Sequence, residues 1–371
     1  MSEQRVERRR FAICLPSVRS PSAMGGGHLN TIRFAGLLSR LADVQLVSYR
    51  KREEGVWFLP DVADHLIRER YILTVLWGAD VTTHIREYRG ELPLLYYHRG
   101  IDFGVRLPPE VPILCTSKYL MTHSQEKWPA NPQFYLPIPL DPGCVDHGRD
   151  RDIDVLIVSR KQPPYVLETL RSRLERRCKV VVLDDFVNRE VLFEYFNRSK
   201  VYLYSFAPQR SRASASGWRM MEGFGFQPLE AQVCGCSVFS NLRGGMADFV
   251  EPWMGSYRLE SHSTDWDEYQ ILRAVAEHPD PLLLERQRVL AYEYGEEEFM
   301  RRASRLLVFL DAYIPFSQTR AARPSDFGFP KPIGPVALWI EGGIGLLYRL
   351  KNRILSRKIA PPGEVGGGTP P

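Results

Sequence analysis

At 371 residues the chain is longer than one ordinary hydrophobic core organises, so two domains are expected. An apolar fraction of 44% and a charged fraction of 25% exclude a disordered or fibrous chain and leave enough apolar residues for two cores. The net charge of +5 suits an anionic ligand or an anionic membrane surface and argues against a dedicated nucleic-acid binder.

The opening "ERRRFAICLPSV" has the basic start of an export signal, but its apolar run is short and Pro16 interrupts it. It reads as a first strand behind a basic leader. "FAICLPSV" (11–18) is a continuous apolar run, the pattern of a strand covered on both faces. A glycine-rich turn follows at Gly25, Gly26 and Gly27, then "TIRFAGLLSRL" with apolar residues at helical spacing. Further strands are expected at 43–49, 71–78, 92–98 and 111–117, separated by helix-like or loop segments. This alternation predicts a largely parallel sheet wrapped by helices.

Between 137 and 152, "PIPLDPGCVDHGRDRD" is rich in proline, glycine and charge and reads as a linker. The strand–helix alternation then restarts, with strands expected at 154–160, 179–185, 200–206 and 236–241 and an amphipathic helix at 294–313. The expected division is therefore 1–148, 149–313 and a tail at 314–371. In that tail, 336–358 is apolar first and basic afterwards, a pattern that suits either an anionic membrane surface or the protein's own first half. No apolar run reaches the roughly 18 residues of a transmembrane helix. Six cysteines in mostly apolar contexts, with Cys234 and Cys236 as a lone C-x-C, suggest buried thiols in a cytoplasmic protein and no zinc site.

The most informative stretch is "EGFGFQPLEA" (222–231), with two glutamates either side of two glycines and a proline. Pro228 suits the first turn of a helix, because its missing N–H costs nothing there. Gly223 and Gly225 would deliver the backbone to that helix start, where free N–H groups and the helix dipole attract phosphate. Glu230, placed in the first turn, could accept both hydroxyls of a ribose, and Glu222 could meet a sugar. Spacing alone fits equally well a capped helix whose glutamates are merely solvated.

The stretch 222–251 also resembles the donor-site signature of glycosyltransferase family 4, the retaining enzymes of GT-B architecture. The shared positions are Glu222, Gly223, Phe224, Gly225, Glu230, Ala231, Cys234, Gly235, Val238, Gly244 and Gly245. Ser237 replaces a usual proline, and Met246–Asp248 replaces the usual Ile-Pro-Glu. A weaker likeness extends over residues 11–313. The resemblance implies two doubly wound Rossmann-like domains facing across a cleft, with the acceptor on the first and the nucleotide-sugar on the second.

It also implies roles. Glu230 would bind the ribose and Glu222 the donor sugar, with the backbone of Gly223, Phe224, Gly225, Phe226 and Gln227 along the sugar and diphosphate. Arg160, with Lys161 standing in for a lysine the family places elsewhere, would offset charge growing on the departing diphosphate. His98, closing a strand of the first half, resembles a histidine near the donor sugar, although a core histidine fits that position as well. His28 and the triple glycine could line the acceptor side. The acids of "DRDID" (150–154) and "DWD" (265–267) look like local caps, so neither a metal nor another cofactor is expected. The expected activity is transfer of a sugar from a nucleotide-sugar to a hydroxyl acceptor, a surface polysaccharide or lipid-linked glycan. A nucleotide-sugar epimerase of the same architecture and a non-catalytic binding protein are the rivals. A dehydrogenase is disfavoured, because no complete G-x-G-x-x-G follows the first strand.

Overall fold

The computed structural model describes residues 8–19, 26–76, 78–100, 105, 107–160, 162–206, 209–210, 218–219, 222–251, 255–259 and 263–319. Gly25, Lys161 and the tail segment 336–358 lie outside them.

The first half runs β1 (Arg10–Leu15), α1 (Gly26–Leu38), β2 (Asp43–Ser48), β3 (Trp57–Phe58), α2 (Leu59–Arg68), β4 (Ile72–Val75), α3 (Gly78–Tyr88), β5 (Leu94–His98), β6 (Ile113–Cys115), α4 (Lys118–Lys127) and β7 (Gln133–Tyr135). Its seven strands form one sheet in the order β3-β2-β1-β4-β5-β6-β7, and every pairing is parallel. Parallel strands need both faces covered, and β1, β4 and β5 are buried almost throughout.

The second half runs β8 (Ile153–Val158), a π-helical turn (Tyr165–Leu170) continuing into α5 (Arg171–Leu174), β9 (Val180–Leu183), α6 (Arg189–Arg198) and β10 (Ser199–Tyr204). A short antiparallel pair, β11 (Gln209–Arg210) with β12 (Trp218–Arg219), precedes α7 (Phe226–Val233) and β13 (Ser237–Ser240). A 3-10 turn (Gly244–Asp248), β14 (Ser256–Arg258), α8 (Thr264–Ala276), α9 (Pro281–Glu293) and α10 (Glu296–Thr319) complete it. The second sheet, β14-β13-β10-β8-β9, is also parallel throughout. Two doubly wound parallel sheets are what the alternation predicted. β3, β7 and β14, of two or three residues each, were not anticipated; they are too short to carry a pattern.

The segment read as a linker has no regular element, yet it is not a solvated loop. Leu136 and Ile138 are buried in the core of the first half, and Leu140 and Cys144 in that of the second. The last described helix returns as well. Phe299, Ala303, Leu306, Leu310 and Ile314 of α10 lie one to two turns apart on one face and pack with Phe34 and Leu38 of α1, over the first sheet. All six cysteines are free thiols, five of them buried. Among the described residues, no helix is long and apolar enough to cross a membrane.

Candidate active site

Chain order dictates where each sheet can bind a ligand. In the second sheet β8 is followed by β9 on one side and β10 on the other, so a crevice opens at the carboxyl ends of β8 and β10. Arg160 stands just past β8, exposed and close enough for its charge to act on the Tyr204 hydroxyl at the end of β10. Tyr204 is buried. Burial and then the neighbouring Glu222 raise its pKa well above the usual phenol value, so the hydroxyl stays protonated and donates to Glu222 Oε2 at 2.8 Å. The Gly225 N–H donates to Glu222 Oε1 at 2.9 Å. Both oxygens of this half-buried carboxylate are thus oriented by a donor.

The glycines work as the sequence suggested, with a change of register. Gly225 has φ 91°, the left-handed conformation, and caps α7. The helix begins at Phe226 rather than at Pro228, which moves Glu230 out of the first turn. The N–H groups of Phe226 and Gln227 have no intrahelical partner, and Pro228 has none to lose. The Phe224 side chain is buried against Phe226, Phe249 and Tyr294, so only its backbone can face a ligand. The Gln227 side chain accepts from the Tyr202 hydroxyl at 3.2 Å.

The first half meets this edge with the carboxyl ends of β5 and β6. Ser117, the N-cap of α4, accepts from Leu120 N–H and donates to the Gly223 carbonyl at 2.7 Å. Asp248 crosses the other way: its carboxylate accepts from the N–H groups of Lys118 (2.5 Å) and Tyr119 (3.1 Å). A Cβ on Gly223 would run into the Arg99 carbonyl oxygen. Arg99 itself donates to the Gly27 carbonyl at 2.7 Å and to Thr31 Oγ1, bracing the start of α1. Gly26 and Gly27 are therefore already helical rather than part of a turn.

His98 is a core side chain, 1% exposed. Its Nε2 donates to the Gly100 carbonyl at 2.9 Å, which leaves Nδ1 to accept from Ser124 Oγ at 2.7 Å. Burial, followed by the proximity of His123, lowers its pKa to about 3, so the ring is neutral at physiological pH. His28 is likewise buried, its Nε2 donating to the Val18 carbonyl at 3.0 Å. Neither ring is brought to the Glu222–Arg160 cluster. Glu230 is buried under Arg189, the first residue of α6, with which it is ion-paired.

The two acidic motifs serve local contacts. Asp152 pairs with Lys179 and Arg198, Asp154 with Lys200, and Asp265 with Arg173, while Asp267 accepts from the Tyr165 hydroxyl. Among the described residues no group of three or more His, Cys, Asp or Glu side chains could hold a metal. The sequence reading missed Tyr204, Ser117 and Arg99, and it named Asp248 only as the acid that follows the Gly-Gly pair, without its partners. Of the three it missed, only Tyr204 carried a signal, as a hydroxyl-bearing residue at the carboxyl end of a strand beside the switch point.

No protein-family model matches the chain, and no curated protein matches it in sequence. Solved structures do match its fold. A glycosyltransferase from Rickettsia africae ESF-5 superposes with a TM-score of 0.61 at 11% identity, over 82% of this chain and 98% of that one. Sucrose-phosphate synthase from Thermosynechococcus elongatus gives 0.57 at 12%, over 82% and 100%. Anabaena HepE, solved in complex with UDP and glucose, gives 0.53 at 14%, over 81% and 100%. The architecture is GT-B. At these identities the likeness concerns the fold.

Proposed function

We propose that the chain is a retaining glycosyltransferase of family 4 type, moving a hexosyl unit from a nucleotide-sugar to a hydroxyl acceptor without a catalytic metal. The observation that carries this reading is the doubly held carboxylate of Glu222 with the exposed cation of Arg160 and the amide-bearing start of α7, all at the switch point of the second sheet. Glu222 accepts hydroxyls of the donor sugar and fixes it in the crevice. As the bond from the anomeric carbon to the diphosphate oxygen breaks, negative charge gathers on the leaving group. The N–H groups of Phe226 and Gln227 stabilise that charge and, fixed by the helix start, need no reorganisation, and Arg160 and Lys161 add cationic charge. The acceptor hydroxyl enters from the first half, past Arg99 and the start of α1. A surface polysaccharide or lipid-linked glycan fits this reading as acceptor, with residues 336–358 holding the chain at an anionic membrane surface.

A panel of UDP-, GDP- and ADP-sugars tests the donor site by thermal shift, since a ligand that binds only the folded state raises the melting temperature by mass action. Failure of the whole panel at saturating concentration would remove the reading. Given a donor that binds, Glu222→Gln and Arg160→Ala should each lower turnover by about two orders of magnitude. Donor binding with no transfer by the parent protein to any hydroxyl acceptor would instead favour a binding module.

A further inference from the structure

Helix α8 uses one face to cover the second sheet. Ile271 and Ala274 pack into the core over β10, and Asp267 and Gln270 are buried beside them. Helical spacing then turns Asp265, Trp266, Tyr269, Leu272 and Arg273 away from the sheet. Two large rings are left in solvent on that face, Trp266 at 45% exposure and Tyr269 at 54%. They stack on each other, with centroids 5.7 Å apart and planes 30° from parallel. A single exposed aromatic is ordinary, but a stacked pair at the edge of a cavity forms a platform.

The cavity lies between this face of α8 and the turn that follows α5. It measures about 420 Å³ and is lined by Arg177, Asp265, Glu268, Tyr269, Leu272 and Arg273. That volume is within the usual range of small-ligand sites. Its charges balance, two guanidiniums against two carboxylates. Arg173 holds both acids, donating to Glu268 Oε2 and to Asp265 Oδ1, each at 2.6 Å. A charged ligand gains little net attraction from such a lining, and the Asp265 side chain, 88% exposed, opposes an anionic lipid surface. A neutral pyranose complements it. The axial C–H bonds of the sugar form an apolar face that packs flat on an aromatic ring. Its equatorial hydroxyls reach sideways, where they donate to carboxylates and accept from guanidiniums. From Trp266 to Arg273 the helix advances about 10 Å, the length of a disaccharide.

We propose that the outer face of α8 is a glycan-binding site separate from the crevice. A neutral oligosaccharide stacks there on Trp266 and Tyr269 and hydrogen-bonds to Asp265, Glu268, Arg177 and Arg273. None of these residues belongs to the Glu222–Arg160 cluster. The helix follows β14, so its Trp266 end lies toward the carboxyl edge of the second sheet, where the crevice opens, and its Arg273 end toward the opposite edge. A polymer held here stays with the protein whether or not its end occupies the crevice. The inference does not depend on the donor-site reading, because holding a glycan requires no transfer.

The test is an array of short neutral glucans, mannans and galactans, with heparin and polysialic acid fragments as the anionic comparison. It is probed with the full chain, and the tightest binder is then measured by calorimetry. The parent protein should bind a neutral glycan in preference to the anionic fragments. Trp266→Ala and Tyr269→Ala should each weaken that binding by about tenfold, as expected when a stacked ring is lost. Glu222→Gln, in the crevice, should leave it unchanged. Arg177→Ala, in an exposed turn, should weaken it as well and serves as the readout if a ring variant does not fold. Binding that survives both ring substitutions but is lost in Glu222→Gln would put the glycan in the crevice and overturn the inference. A preference for the anionic fragments would mean a merely electrostatic surface and overturn it too, as would a parent that binds nothing on the array.

Discussion

Gly223 shows how one residue can serve a site without supplying chemistry. Its carbonyl takes the Ser117 hydroxyl, and its missing side chain lets the Arg99 backbone come into contact. The obstacle to a methyl group is backbone carbonyl, which cannot rotate aside. Gly223→Ala should therefore cost about 1–3 kcal/mol, as overpacking does. It should also lower activity more than a distant surface glycine would, because relief comes from separating the two sheet edges. Thermal melting and turnover check this, and unchanged values in both would mean that the contact is soft. At this scale the sequence was legible where a residue acts through its immediate neighbours: Glu222 and Gly225 stand at a helix start as the spacing indicated, although the helix begins two residues earlier than expected. It was not legible for Glu230 and His98. Their surroundings come from α6, α1, α4 and the connector, tens of residues away along the chain.

Helix α4 has a start shared between the halves. Its own Ser117 caps one N–H group, and Asp248 of the 3-10 turn, from the other half, takes two more. Four such groups are orphaned at any helix start, and an acid placed there also meets the positive end of the dipole. Asp248→Ala should cost about 1–2 kcal/mol, in the range of a lost cap. Amide hydrogen exchange should rise at residues 117–121 in step with this loss. Exchange confined to the 3-10 turn, with α4 as protected as before, would sink the idea of a shared cap. The residue was visible in the sequence as an acid after a Gly-Gly pair, but its target was not. Nothing local specifies that the groove it enters belongs to another sheet.

At the scale of the whole molecule, the connector and α10 hold the described residues together as well as the two sheets do. The connector buries Leu136 and Ile138 on one side and Leu140 and Cys144 on the other, and α10 returns to the core of the first half. The halves are thus joined by apolar packing at the connector and by polar contacts such as Ser117 with Gly223 and Asp248 with the start of α4. Beyond α10, residues 336–358 pair an apolar stretch with five basic residues, Arg349, Lys351, Arg353, Arg357 and Lys358. Attraction of such a segment to anionic lipid is worth about 1 kcal/mol per basic residue near the surface. The full chain should therefore float with vesicles containing anionic lipid, and a version ending near residue 330 should not. Equal flotation of the two would remove the tail's role.

Apolar runs, turn residues and helical spacing determined by themselves that this protein would fold as two parallel α/β halves. They also determined that a glycine-cornered helix start would stand at the edge of the second sheet. These are properties of a few consecutive residues, because backbone preference and the need to cover both faces of a strand act locally. Only the tertiary structure decided that Tyr204 holds Glu222, that Arg189 covers Glu230, that His98 is sealed in a core, and that Asp248 reaches across to α4. Those outcomes depend on which distant side chains share a buried volume, where unmet charge and unmet hydrogen bonds cost most.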